Sequence, residues 1–183
     1  MVASLVAHDL SRSESRCTVQ GAAAECALII DLLAFDGVDD DRNGVVTYAE
    51  LDRSIASVFT RVKEHFLLRG PAEPSSIVMT RHELIDEHTV RLTLAYTFPQ
   101  HVSELDVTAT FEQISGRPDH QHYVTVTRGG VERRAILDVS HHTVTLEFDR
   151  WTRTAIWLTI AGVGIVGLRV GWFLRARRRR RSG

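Results

Sequence analysis

DDDRNGVVTYAE, residues 39–50, is the stretch from which the rest of the chain is read. It fits D-x-[DN]-x-[DN]-G-x5-E, the EF-hand calcium loop, in one register. A hard divalent cation takes oxygen ligands, and this spacing turns alternate residues inward. Asp39, Asp41 and Asn43 offer side-chain oxygens at loop positions 1, 3 and 5, and Val45 its carbonyl at position 7. Thr47 acts at position 9, directly or through water, and Glu50 closes the shell at position 12, where a bidentate carboxylate favours calcium over octahedral magnesium. Gly44 stands where the chain reverses and a Cβ would clash. Val46 is apolar and β-branched, as a short strand beside the loop requires. An acidic, solvated turn would explain the aspartates alone, but not the glycine, the valine and the glutamate together. Thr47-Tyr-Ala-Glu50 also spells a capping box, so Glu50 has two claims on it. A loop without metal uses the cap, and a loaded loop uses the ligand.

On the N-terminal side, residues 13–30 read as a β-hairpin about Gly21-Ala22, a pair suited to a type II′ turn. That register pairs residues whose numbers sum to 43. It puts Cys17, Val19, Ala24, Cys26, Leu28 and Ile30 on one face and Arg16, Thr18, Gln20 and Glu25 on the other. Cys17 then lies opposite Cys26, close enough for a disulfide in an oxidising compartment, or for two small buried thiols. Residues 31–38 are too few for a full helix before the loop, although Leu32, Leu33 and Phe35 can form one buried turn. The loop is thus half of an EF-hand, and no second loop accompanies it. That sets an expected affinity of roughly 10⁻⁴–10⁻³ M.

After the loop the period is helical from 48 to 68, with Leu51, Ile55, Val58, Val62 and Phe66 on one stripe and Arg53, Ser57, Arg61 and Glu64 away from it. His65 beside the stripe reads as a packed histidine. Gly70-Pro71 reads as the stop. From 76 to 149 the period becomes two, with strands expected at 77–84, 89–98, 105–111, 123–127, 131–137 and 142–148. Six short strands argue for a small antiparallel β-sandwich, to whose sheets the hairpin can add.

Residues 151–174 are apolar on every face and long enough to cross a bilayer if Arg169 snorkels near one end. Trp151, Trp157 and Trp172 suit the interfacial belts, and Gly167-x-x-x-Gly171 is a weak helix-packing signal. Arg175 and the run that begins at Arg177 form a cytoplasmic anchor by the positive-inside rule, leaving residues 1–150 outside. The net charge of −1 hides this division, since residues 1–150 hold 14 basic and all 23 acidic side chains. An acidic body on a basic tail excludes a nucleic-acid binder. The start, MVASLVAHDL, lacks a basic n-region and reads either as a signal-peptide remnant ending near Ala7-His8 or as a frayed terminus.

The expected architecture is therefore α+β. Residues 1–12 are a remnant or flexible start, 13–70 the hairpin, EF-hand-like loop and amphipathic helix, and 76–149 the antiparallel β domain. A single transmembrane helix at 151–174 and a basic tail at 175–183 follow. Nine histidines raise a transition-metal alternative. His120 and His122 share a face if they begin a strand, and His141 is a candidate third ligand for zinc or nickel. Polar residues at strand ends account for the same pattern. No nucleophile elbow, P-loop or zinc-protease helix is present, so no enzyme is expected.

The order of parts carries a resemblance. His8-Asp9-Leu10-Ser11 precedes a strand, the acidic loop ends in Thr47-Tyr48-Ala49-Glu50-Leu51, and Arg91-Leu92-Thr93-Leu94-x-Tyr96-x-Phe98 lies in the β segment. Over roughly residues 7–150 this resembles the extracytoplasmic N-terminal part of HupE/UreJ-like bacterial membrane proteins. The resemblance implies an exported domain with its calcium loop at Asp39, Asp41, Asn43, Thr47 and Glu50. It also implies a link to nickel or other metal uptake, as an accessory to a membrane transporter. The chain departs from the family in having one membrane helix, with no histidine inside it.

Overall fold

Turn chemistry sets the first element. In the computed structural model, which describes residues 12–148, strands β1 (Arg12–Gln20) and β2 (Ala23–Asp31) flank the two residues Gly21 and Ala22. Gly21 has φ +60°, whereas Ala22 keeps a negative φ, the pattern of a type II′ turn. Every pair from Glu14↔Ile29 to Gln20↔Ala23 obeys the expected register. Its inward face is buried, and Cys17 and Cys26 are joined there by a disulfide with Cα atoms 4.0 Å apart.

A single 3-10 turn, Leu32–Ala34, follows, capped by Asp31 Oδ1 accepting from Leu33 N at 2.8 Å. The acidic loop comes next, and helix α1 (Tyr48–His65) then buries Leu51, Val58 and Val62. The helix ends earlier than its periodicity suggests. Phe66 leaves helical geometry, and Phe66–Arg69 forms strand β3 with no glycine or proline between. Phe66 satisfies both periods, four after Val62 and two before Leu68. Pairing with a neighbouring strand settles it, because Phe66 is fully buried and its ring stacks 6.2 Å from Phe111. Gly70-Pro71 therefore stops a strand, not the helix.

Strands β4 (Ser76–Leu84), β5 (Thr89–Thr97), β6 (Glu104–Ala109), β7 (Gln121–Arg128), β8 (Val131–Leu137) and β9 (Thr143–Glu147) lie where period-two alternation places them. A four-residue helix, α2 (Glu112–Ser115), was not expected. Two glycines with positive φ, Gly129 and Gly130, form the whole of the β7–β8 turn, as a type I′ hairpin demands.

The strands make two sheets, one of six in the order β4-β5-β2-β1-β7-β8 and one of three in the order β3-β6-β9. The hairpin is not an addition to the larger sheet but its centre. Strands from residues 13–70 and from 76–149 thus share one sheet. The expected antiparallel arrangement holds for every named strand pair except β1 with β7, which run parallel from Arg12↔Gln121 to Val19↔Arg128. Inward residues of the larger sheet (Leu28, Leu92, Leu94, Val126) and of the smaller one (Phe66, Leu68, Leu105, Val107) are at most 1% exposed. The rings of Phe66 and His122, one from each sheet, meet edge-on at 5.4 Å. The result is a mixed α+β fold with a sandwich-like core.

No helix among the described residues is long and apolar enough to cross a membrane. The segment at 151–174, with Trp151, Arg169 and Trp172, lies outside the described residues, as do Arg175, Arg177 and the start at 1–11.

Candidate metal centre

Carboxylates collect where the chain must reverse between two anchored elements. The anchors are the turn after β2 and the N-terminus of α1. Between them Arg42 (φ 57°) and Gly44 (φ 81°) both adopt left-handed backbone. Glycine carries the conformation at 44 without a Cβ penalty, Arg42 is the one non-glycine among the described residues to adopt it, and the amides that follow turn onto the aspartates. Asp39 Oδ2 accepts from Gly44 N at 2.9 Å, and Asp39 Oδ1 accepts from Asn43 N at 3.2 Å. Asp41 accepts both Asn43 amides, the backbone N–H at 3.2 Å and Nδ2 at 2.8 Å. Asn43 Oδ1 in turn accepts from Val45 N at 2.7 Å.

Asp39, Asp41 and Glu50 each bring a carboxylate oxygen within 4.8 Å of the others. Three anions at that separation repel one another, and the surrounding N–H groups offset part of the repulsion. The Gly44 N–H holds the Asp39 carboxyl below its ordinary range, with the Asn43 and Arg42 N–H groups assisting. Thr47, first by its N–H and then by its hydroxyl, does the same for Glu50. Both therefore stay ionised well into acid. A cluster of hard, charged oxygens can hold a metal ion.

Glu50 is 6% exposed and sits in a complete capping box. Its Oε2 accepts from Thr47 N at 2.8 Å and Thr47 Oγ1 at 2.7 Å, while its Oε1 accepts from Asp40 N at 3.1 Å. Thr47 Oγ1 completes the box by accepting from Glu50 N at 3.3 Å. The residue thus already lies among the loop carboxylates while it serves as the helix cap. Val45 is partly exposed at the loop's outer edge.

Among the described residues no second loop of this kind lies beside it, but it does have a partner. Val46 N donates to Glu87 O at 2.6 Å, and Leu32 N donates to His88 O at 2.7 Å. The β4–β5 turn is thereby clamped to both ends of the segment that carries the loop. His88 Nδ1 lies 2.9 Å from Asp31 Oδ2 in a buried pair. Burial is the main effect on Asp31 and raises its pKa, against the pull of the Leu33 N–H and of His88. Period-two alternation located this turn but gave no sign of what it would touch.

Of the histidines expected as a second metal site, His120 and His122 come together on one serine and His141 does not join them. His120 and His122 do share the inward face, as their spacing implied, and both are buried. They meet on serines: Ser13 Oγ lies 2.8 Å from His120 Nε2 and 2.6 Å from His122 Nδ1, and Ser15 Oγ lies 2.9 Å from His122 Nε2. Both ring nitrogens of His122 are therefore engaged. Burial, with His120 adding to it, pushes the His122 pKa down to about 3, so the ring is neutral at ordinary pH. His141 is 79% exposed in the turn after β8, beside Asp138. Among the described residues, Asp39, Asp41 and Glu50 form the one group of His, Cys, Asp or Glu side chains able to hold a metal. The missed members of the histidine cluster, Ser13 and Ser15, alternate with Cys17 on the hairpin's inward face. That polar alternation was the available signal.

No family model matches this chain, and the search of curated proteins returned no match.

Proposed function

We propose that the chain is a calcium-binding, membrane-anchored structural or interaction module whose folded domain lies outside the cytoplasm. The observation that carries this reading is the convergence of Asp39, Asp41 and Glu50 in a loop whose backbone N–H groups already orient the aspartates. Asp39, Asp41, Asn43 and Glu50 would hold the ion with their side chains, Val45 with its carbonyl, and Thr47 directly or through water. The donors are all oxygen and three are charged, which suits a hard divalent cation and not zinc, nickel or copper.

A bound cation would relieve the repulsion among the three carboxylates. It would tie residues 39–43 to the first turn of α1 through Glu50. Because Val46 and Leu32 are bonded to the β4–β5 turn, the stiffening extends to the sheet edge. The ion's part is thus to lock a surface, not to perform a reaction.

Export is supported by the disulfide between Cys17 and Cys26, a bond that persists in oxidising compartments. The apolar residues 151–174 and the arginines beyond them supply the anchor in this proposal. The resemblance to the extracytoplasmic part of HupE/UreJ-like proteins belongs to the same reading.

The test is thermal unfolding of the full chain in mild detergent, with calcium and with a chelator. A higher Tm in millimolar calcium, lost in Glu50→Gln, is the expected result. An unchanged melting curve sinks the proposal.

A further inference from the structure

Beside the loop, between residues 35–40 and one face of α1, lies a cleft of about 350 Å³. Its walls come from local geometry. Ser57, Val58 and Arg61 follow Glu50 by two and three helical turns, so they share its face. Phe35, Val38 and Val58 line its base, each buried in the core. Arg53, Ser57 and Arg61 line its helix side. Arg53 is engaged by Asp40 at 2.7 Å. Arg61 forms no ion pair among the described residues, and Ser57 Oγ no hydrogen bond among them.

The volume is at the low end for small-ligand sites, about 300–1,000 Å³, and too small for a partner's helix or strand. A guanidinium beside a free hydroxyl is a ready acceptor site for a planar carboxylate, which it can grip with two parallel N–H bonds. The other wall carries Asp36 and Asp40, and Glu50 stands at the N-terminal end of the helix side. Those carboxylates repel a multiply charged anion such as phosphate more strongly than a monoanion, whose single charge can sit on the Arg61 side away from them. The apolar base asks for an aliphatic end.

We infer that this cleft binds a small aliphatic carboxylate, with its charge on Arg61 and Ser57 and its apolar end over Val58, Phe35 and Val38, and that metal in the adjoining loop controls the site. The control rests on the calcium reading above. Asp40 and Glu50 belong to both loop and cleft: Asp40 N donates to Glu50 Oε1 at 3.1 Å, while the Asp40 side chain holds Arg53. Drawing Glu50 onto a cation frees Asp40 N–H and resets the Arg53 anchor at the cleft mouth. Such coupling is reciprocal, so the carboxylate must also tighten metal binding.

The test titrates the full chain in detergent with N-acetyl-L-leucine at neutral pH, in calcium and in chelator, by calorimetry. N-acetyl-L-leucinamide, the neutral analogue, is the control. Binding of the acid but not the amide is expected, weaker in chelator and reduced about tenfold in Arg61→Gln, the loss expected for one charge-assisted hydrogen bond. Arg61 is exposed, and Arg61→Gln must keep the wild-type Tm rise with calcium, which shows that the variant is folded. Equal binding of acid and amide, no effect of Arg61→Gln, or no binding at about 10 mM overturns the cleft assignment. Equal binding in calcium and chelator overturns the coupling. A Tm that responds to calcium in a chain that ignores the acid removes this inference and leaves the metal loop standing. Acid binding without any calcium response does the reverse to the metal reading.

Discussion

Glu50→Gln separates a calcium ligand from a helix cap, because glutamine can serve as the second and serves poorly as the first. In the metal-free chain, a glutamine oxygen can still accept from Thr47 N and Oγ1, so the capping box persists in its S/T-x-x-Q form. The interaction lost is the one from Asp40 N to Glu50 Oε1, and the loop sheds one of three clustered charges. These changes oppose each other, and the chelator-treated Tm should move little. Calcium changes the comparison. For a dissociation constant of about 10⁻⁴–10⁻³ M, calcium at about 10 mM stabilises the native state by roughly 1.4–2.7 kcal/mol. A domain of this size shifts by about 2–4 °C per kcal/mol, so the wild-type Tm should rise by about 3–11 °C. Glu50→Gln should remove most of that rise. The assay is circular dichroism melting in chelator, in calcium and in magnesium, with chelator added back to show reversal. Two results refute the reasoning: a wild-type Tm indifferent to calcium, or a calcium response equal in Glu50→Gln. A large drop in the chelator-treated Tm of the variant would instead make the residue a structural cap.

Gly44→Ala should lower stability by about 1–2 kcal/mol and weaken the calcium response, because φ at this site is 81° while an added Cβ would meet nothing within 4 Å. Gly44→Asn should cost less, and melting curves of the two variants check it. Opening the Cys17–Cys26 disulfide, which closes a separation of nine residues, should cost about 2.5 kcal/mol by chain entropy, read from denaturant melts of Cys17→Ala/Cys26→Ala. The folded-state pKa of His122 lies below its unfolded value, so its contribution is complete above about pH 6.5. It falls by up to about 1.4 kcal/mol per pH unit as pH drops from there toward about 3. Stability of His122→Gln measured across that window should show a shallower slope, and an identical slope would refute this assignment.

Much of the candidate site was legible because an oxygen cage of this kind is a local object. Its ligand spacing, its glycine and its cap all fall within residues 39–50, and the structure brings Asp39, Asp41 and Glu50 together. The turn that clamps it, through Glu87 O and His88 O, was not legible, because those bonds use backbone groups that every residue carries. The cleft beside it was hidden for another reason. Arg53, Ser57 and Arg61 lie off the apolar stripe of α1, and only the path of residues 35–40 turns that polar face into a wall.

Sequence alone determined what short-range chemistry controls. The hairpin register follows from the Gly21-Ala22 turn, the facing of Cys17 and Cys26 from that register, and the strand positions from side chains that alternate between core and water; that the two cysteines are bonded came from the structure. Tertiary structure decided what depends on which surface meets which. It placed the hairpin at the centre of the larger sheet and paired β1 parallel with β7. It also drew Phe66–Arg69 out of a helix into β3, and sealed His120 and His122 against Ser13 and Ser15. Those outcomes rest on the burial of surfaces distant in sequence, and an alternating strand shows which face it must hide without showing what will cover it.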